Sequence, residues 1–427
     1  VFNDGFSVIK AISVLSATGM VFFSFYIIRN VFDTKTSLLG QLFFALNPWV
    51  FLFAIQARNE IFPVFLVMAA TFFITKKEIR LYDVIMIGCL VGAATAIRYQ
   101  SVFILVAFVI FLLIQNKKFR TNFLYAVILI LLFTAVSSPV FLYNYFTHGT
   151  FLDEVDPSRY IADRSKFTTE EWKDDVFQQS QKGLVSGILI DFDLWLKNYF
   201  YNLFYGVPNG LFGFENKVSA SLIPAIPILG AIPVLGGLIY SLKIPASKKT
   251  LVTVMATAAI TTAFVFLLGN FQDHFFAIII MPLIVLGLQN IQKMDKKLLL
   301  LIISAVIFSV IMAHLPIHSY KHFLYLWIFL APLCSIFFVS VIPRLFLKIQ
   351  NTKLSSTKIL ENQKSSNVTI LVIISLILLT NLGYSYVTIE VITTGNSVDI
   401  ILENLKSPFS EKLNPNKSDL NNIVTIL

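Results

Sequence analysis

Long apolar segments separated by short polar connections recur along almost the whole chain. Most approach the roughly 20 residues that an α-helix needs to cross a bilayer. The pattern therefore predicts an all-α polytopic membrane protein with about 12 transmembrane helices. The segments fall at about 8–29, 37–57, 61–75, 83–98, 99–115, 122–146, 218–242, 250–269, 274–290, 298–314, 322–343 and 367–388.

Lysine and arginine concentrate in every second connection between these segments. Most of the 33 Lys and Arg residues lie in six such connections, from Arg29 and Lys35 near the start to the stretch 344–364 near the end. Cytoplasmic loops of membrane proteins carry such an excess. We therefore predict that these six connections are cytoplasmic, and that the intervening ones lie on the extracytoplasmic side of the cell membrane.

The connections divide the chain into four predicted parts. One outward connection is long and rich in acidic residues, and its second half, 192–214, has the aromatic-rich composition of a helix lying in the membrane interface. Three prolines predict a kinked or irregular span at 218–242. The parts are N-terminal transmembrane helices at 1–146, an extracytoplasmic loop at 147–217, C-terminal transmembrane helices at 218–388 and a polar extracytoplasmic tail at 389–427.

Composition agrees with a membrane protein and argues against a partner nucleic acid. The chain is 56% hydrophobic and only 13% charged. Its net charge of +9 follows from the basic cytoplasmic connections and does not indicate nucleic-acid binding. Neither a Walker-type loop nor a GxGxxG loop is present in the sequence, so handling of a nucleotide inside the cell is not indicated.

Several charged residues lie at the predicted outer ends of spans. The stretch from Leu38 ends in Arg58-Asn59-Glu60, and Arg98 interrupts another apolar run. Lys321 with His322, and His274 beside an aspartate, lie at two further outer turns. One interpretation is that these residues pair locally, as Arg58 with Glu60, or anchor spans at the headgroups. The other is an outward cavity with cations for an anionic group and carboxylates for proton or metal chemistry.

The order of motifs resembles the GT-C superfamily of polytopic glycosyltransferases, in particular its protein O-mannosyltransferases and aminoarabinose transferases. The likeness covers roughly residues 6–290. It rests on the two spans that end at QARNE, on the glycine-rich helix GCLVGAATAIRYQ, and on SSPVFLYNYFTHGTFL, which leads into the long outer loop.

The resemblance implies transfer of a sugar from a polyprenyl-phosphate carrier to a protein or glycolipid acceptor on the extracytoplasmic side of the bilayer. It implies Glu60 as a catalytic acidic residue. It also implies that the family's first span and main acidic motif lie upstream of Val1, with Asp4 as their nearest stand-in here. No cofactor is certain, and a divalent metal ion is left open. The candidate substrate-binding residues are Arg58, Arg98, Tyr99, Lys321, His274 and His322.

Two other functions fit parts of the pattern. A polymerase or ligase of surface polysaccharide would also be polytopic with a large outer loop, but would favour a basic loop where this one is acidic. A secondary transporter would require paired broken helices with charges near the bilayer midplane. The sequence has one segment rich in proline and glycine, and its isolated charges lie at outer ends instead.

Overall fold

Helices make up all the regular structure in the part of the chain that the computed structural model describes. That part comprises residues 5–47, 50, 53–54, 60–115, 119–148, 192–208, 231–244, 247–267, 271–313, 320–345 and 375. The helices are α1 (Gly5–Val31), α2 (Thr34–Ala45), α3 (Ile61–Ile74), α4 (Leu81–Ile97), α5 (Val102–Leu113), α6 (Phe119–His148), α7 (Phe192–Tyr201), α8 (Ala231–Ser241), α9 (Lys248–Leu267), α10 (Phe271–Asn290), α11 (Lys296–Met312) and α12 (Tyr320–Ile336).

The predicted all-α membrane class is confirmed, whereas the number of spans stays a prediction. Four described stretches are long and apolar enough to cross a membrane: Ser7–Val31, Phe119–Thr147, Lys248–Leu267 and Leu324–Leu345. Other apolar helices are shorter. The 14 residues of α3 rise about 21 Å, less than the roughly 30 Å of a bilayer core. Because most of its side chains are buried by protein, α3 relies on its neighbours for shielding from lipid.

The predicted span at 37–57 is not one continuous helix. Helix α2 begins after Asp33, whose carboxylate accepts a hydrogen bond of 2.9 Å from the Thr36 amide. It ends at Ala45, and its last turn closes with a bond of 3.2 Å from the Asn47 amide to the Phe44 carbonyl. The next residue in the sequence is a proline, which disfavours helical backbone in the residue before it. The apolar run in the sequence therefore gave no indication that the helix ends at Ala45.

Glycines set how closely two pairs of helices approach. Gly88 and Gly92 lie one turn apart on α4, and a Cβ at Gly92 would come within 2.9 Å of the Phe133 carbonyl oxygen on α6. On α8, a Cβ at Gly237 would clash with the Leu333 carbonyl oxygen of α12. Small residues at such crossings let helix backbones pack closely in membranes.

The sequence predicted a kinked or irregular span at 218–242. Within the described residues, 231–241 of this span form a regular helix that packs against α12.

Several of the basic connections lie together at one end of the helix bundle. Lys297 at the start of α11 donates to the Asn30 carbonyl at the end of α1, at 3.0 Å, and Asn30 donates to Thr75 at 3.3 Å. Burial lowers the pKa of Lys297. The negative charge of Asp295 opposes this shift, and the positive charge of Lys77 adds to it. Connections predicted to share one membrane face are therefore neighbours in space, as the charge alternation requires.

The second half of the predicted outer loop contains an aromatic helix. Helix α7 continues as a π-helical turn at Asn202–Gly206, and Trp195 stacks between Phe192 and Tyr199 at centroid distances of 5.5 and 5.4 Å. Tyr199 donates to the Val310 carbonyl at 3.1 Å, and burial raises the pKa of its hydroxyl, which keeps it a neutral donor. This contact ties α7 to the end of α11 opposite Lys297. Residues 149–191 and the tail at 389–427 lie outside the described part of the chain.

Candidate functional site

Glu60 directly precedes helix α3 and is almost fully buried. It retains 6% of its accessible surface, and its backbone is already helical, with φ −70° and ψ −32°. A carboxylate at a helix N-terminus is stabilised by the amide dipoles aligned along the helix. Burial of an ionised group nevertheless requires a partner, so the identity of that partner determines what the carboxylate is able to do.

Arg98 ends helix α4 on the same side of the bundle. Its amide closes the helix with a 2.8 Å bond to the Ala94 carbonyl, while its own backbone is extended, with φ −144° and ψ 108°. A short 3₁₀ turn, Tyr99–Ser101, follows and leads into α5. Because α3 and α4 are antiparallel neighbours, the start of α3 and the end of α4 lie together.

The two charges form a buried ion pair. The Arg98 Nη2 atom lies 2.7 Å from Glu60 Oε1, and the side chains are 15% and 7% exposed. One interpretation of the sequence paired Glu60 with the nearby Arg58, and among the described residues the carboxylate pairs with an arginine 38 residues away. Arg58 itself lies outside the described residues.

The second carboxylate oxygen of Glu60 has acceptor capacity that Arg98 does not use. Among the described residues, Glu60 Oε2 is buried and has no hydrogen-bond partner. An ionised carboxylate has about four acceptor positions, and Arg98 uses only one oxygen in the contact above. The arrangement can therefore accept a hydrogen bond or a proton from a hydroxyl group while Arg98 holds the carboxylate in place.

A third element reaches this end of the bundle from far along the chain. The Tyr325 hydroxyl of α12 lies 2.9 Å from Ser101 Oγ, and both residues are buried. The Tyr325 ring stacks on Phe308 of α11, with centroids 5.1 Å apart. Sequence reasoning missed both Ser101 and Tyr325. The one available signal was a tyrosine within the apolar run FLYLWIFL, since a buried phenol needs a polar partner.

The other predicted site residues are described only in part. Tyr99 is half-buried in the 3₁₀ turn next to Arg98. His274 belongs to the first turn of α10, and Lys321 and His322 belong to the first turn of α12, one turn before Tyr325; the side chains of these three lie outside what the structure describes. Asp4 lies outside the described residues altogether.

The described residues contain no cluster of candidate metal ligands. No group of three or more His, Cys, Asp or Glu side chains is placed there to hold a metal ion. The two cysteines, Cys89 and Cys334, are free thiols on separate helices. The described side chains that meet at this end of the bundle are a carboxylate, a guanidinium and two hydroxyls.

The N-terminal part of the chain resembles a known protein family. Residues 1–143 match the profile of the dolichyl-phosphate-mannose-protein mannosyltransferase family. No curated protein and no solved structure matches the chain. The match includes Glu60, Arg98 and Ser101 but not Tyr325. Over its first third the chain is thus similar to membrane glycosyltransferases of the GT-C type, and this likeness supports a glycosyltransferase without specifying the subtype.

Proposed function

We propose that the protein transfers a sugar from a polyprenyl-phosphate carrier to an acceptor hydroxyl on the extracytoplasmic side of the cell membrane. The likeness of residues 1–143 to a family described by its lipid-phosphate sugar donor supports this activity. The observation that carries the proposal is the buried carboxylate of Glu60, which pairs with Arg98 through one oxygen and has no partner on the other among the described residues.

In the proposed reaction, the acceptor oxygen attacks the anomeric carbon of the sugar. A new bond from that oxygen to the carbon forms as the bond from the carbon to the phosphate oxygen breaks, with inversion at the carbon. The acceptor proton passes to the Glu60 carboxylate as general base. The carrier leaves as polyprenyl phosphate and retains the bonding electrons.

Cationic groups would offset the charge that develops on the departing phosphate. Arg98 is the described candidate, although its guanidinium is already engaged by Glu60. Lys321 belongs to the neighbouring end of α12, and a lysine there would supply a second positive charge. Arg58, His274 and His322 stay predictions for binding the donor or acceptor, and Asp4 stays a prediction for a second acidic group.

Glu60→Gln tests the role of the carboxylate, because it keeps the size of the side chain and one acceptor oxygen but removes the charge and the base. We expect transfer from dolichyl-phosphate-mannose to fall by roughly 10²-fold or more, in line with the loss of a general base. The measurement is turnover per folded molecule of purified protein in lipid nanodiscs.

Asp83→Asn is the matched control. Asp83 is also a buried carboxylate in an ion pair, 2.6 Å from Lys76, at the opposite end of α3 and α4. Its amide variant should lower stability but leave turnover per folded molecule close to the original. Equal losses of turnover in the two variants would assign Glu60 a structural role, and near-normal transfer in Glu60→Gln would exclude it as the base.

A further inference from the structure

The backbone that carries Arg98 is held on one side by the last turn of helix α4, through the bond from its amide to the Ala94 carbonyl, and on the other by the turn that follows it. Arg98 has extended backbone angles, so its side chain leaves from beyond the regular helix. The turn at Tyr99–Ser101 is closed by a 3.0 Å bond from the Ser101 amide to the Arg98 carbonyl. Ser101 is therefore one of the two backbone anchors of the residue that holds Glu60.

Ser101 is fixed in turn by a tyrosine 224 residues further along the chain. The two hydroxyls are 2.9 Å apart, Ser101 is fully buried and Tyr325 is 2% exposed. Stacking of Tyr325 on Phe308 restricts the ring. Ser101 follows Arg98 by three residues and is bonded to its carbonyl. The hydrogen bond to Tyr325 therefore links the segment that carries Arg98 to the C-terminal part of the chain.

We propose that Tyr325 is a positioning residue for the transfer reaction, acting through Ser101 on the Glu60–Arg98 pair. The inference rests on the proposed function and adds to it a residue outside the stretch that matches the family. Catalytic groups need to be held to within about 0.5 Å of productive geometry by residues packed behind them. The Tyr325–Ser101 bond supplies such support for Arg98, and Arg98 supplies it for the carboxylate.

The same bond joins two parts of the proposed site. Lys321, the candidate for the carrier phosphate, lies one turn before Tyr325 in α12. Glu60, the candidate base, lies at the start of α3. Fixing α12 to the turn after α4 therefore fixes the spacing between the helix end that carries the phosphate candidate and the pair that carries the base. Loss of the bond should lower kcat more than it changes binding of the donor.

The test is a double-mutant cycle with Tyr325→Phe and Ser101→Ala. Each substitution removes one hydroxyl, and Tyr325→Phe keeps the ring that stacks on Phe308. We expect each single variant to lower kcat about 3- to 10-fold with little change in KM for dolichyl-phosphate-mannose, as for the loss of one hydrogen bond. The double variant should be no slower than the slower single variant, because both remove the same interaction.

Ser335→Ala is the matched control on the same helix. Its buried hydroxyl donates to the Ala331 carbonyl at 2.8 Å, away from the turn. Turnover per folded molecule should stay within about twofold of the original, as expected for a residue with no part in the reaction. A purely structural role for Tyr325 would lower the yield of folded protein in Tyr325→Phe and Ser101→Ala without lowering kcat, and this result would overturn the proposal.

The outcomes separate this inference from the proposed function. Unchanged kcat in Tyr325→Phe and Ser101→Ala, or losses that multiply in the double variant, would overturn the positioning role. If Glu60→Gln still loses transfer in that case, the proposed function stands without it. If the unsubstituted protein transfers no sugar from the lipid-linked donor, both proposals fail.

Discussion

Removing the charge of Glu60 should destabilise the protein more than removing that of Arg98. The pair is buried, with Nη2 and Oε1 2.7 Å apart and side-chain exposures of 15% and 7%. Breaking a buried ion pair by deleting one partner costs about 3–5 kcal/mol, because the other charge is left uncompensated. An exposed pair would contribute about 1 kcal/mol or less, so the two situations are easy to distinguish.

The asymmetry arises because only one of the two groups can neutralise itself. Arg98→Gln leaves a buried carboxylate, which can take up a proton, whereas Glu60→Gln leaves a guanidinium, which cannot lose one. We expect Glu60→Gln to show the full loss of stability and Arg98→Gln a smaller one. The double variant, Glu60→Gln with Arg98→Gln, should recover most of the stability, since no charge stays buried.

Thermal unfolding of the purified protein in nanodiscs, followed by tryptophan fluorescence, would measure these differences. Lys76→Met is a second comparison, because it removes a cation that is 31% exposed but leaves the buried carboxylate of Asp83 without its ionic partner. Equal losses below about 1 kcal/mol in both single variants, or a double variant as unstable as the sum of the singles, would refute the buried pair. Recovery of stability without recovery of sugar transfer would separate the structural role of Glu60 from its proposed catalytic one.

Two further predictions concern packing and topology. Gly237→Ala should strongly destabilise the protein, because its Cβ would clash with the Leu333 carbonyl oxygen. Gly287→Ala has nothing within 4 Å of the new Cβ and should be neutral or stabilising by up to about 1 kcal/mol, and the same thermal unfolding measurement checks both variants. In intact cells, a membrane-impermeant thiol reagent should label Glu170→Cys but not Lys118→Cys, because the positive charge bias predicts the first outside and the second inside; the reverse labelling would invert the topology.

The positions of most helices follow from the hydrophobic pattern alone. The apolar segments at 8–29, 61–75 and 298–314 correspond within a few residues to α1, α3 and α11. In a membrane protein a run of apolar residues has few alternatives to a helix, because the backbone must satisfy its own hydrogen bonds. The pattern was less informative where an apolar run contains a break, as at the end of α2 before Pro48, because apolar composition continues across the proline.

The partners of the site residues could not be derived from the chain itself. Composition and order identified Glu60 and Arg98 as charges at the predicted outer ends of spans, since charge at such positions is costly. They did not identify these two as partners, because local pairing with Arg58 was equally consistent with the sequence. A tyrosine in an apolar helix carries no comparable signal, since packing explains it as well as a hydrogen bond does.

By itself, the sequence determined the helical class, the candidate helices and the segregation of basic connections, because each depends on the local composition of a segment and its cost in lipid. Only the tertiary structure decided which ends meet. The antiparallel packing of α3 and α4 brings Glu60 to Arg98, and the packing of α12 brings Tyr325 to Ser101. These contacts join residues 38 and 224 positions apart, and separations of that kind are set by how helices pack rather than by the composition of any one of them.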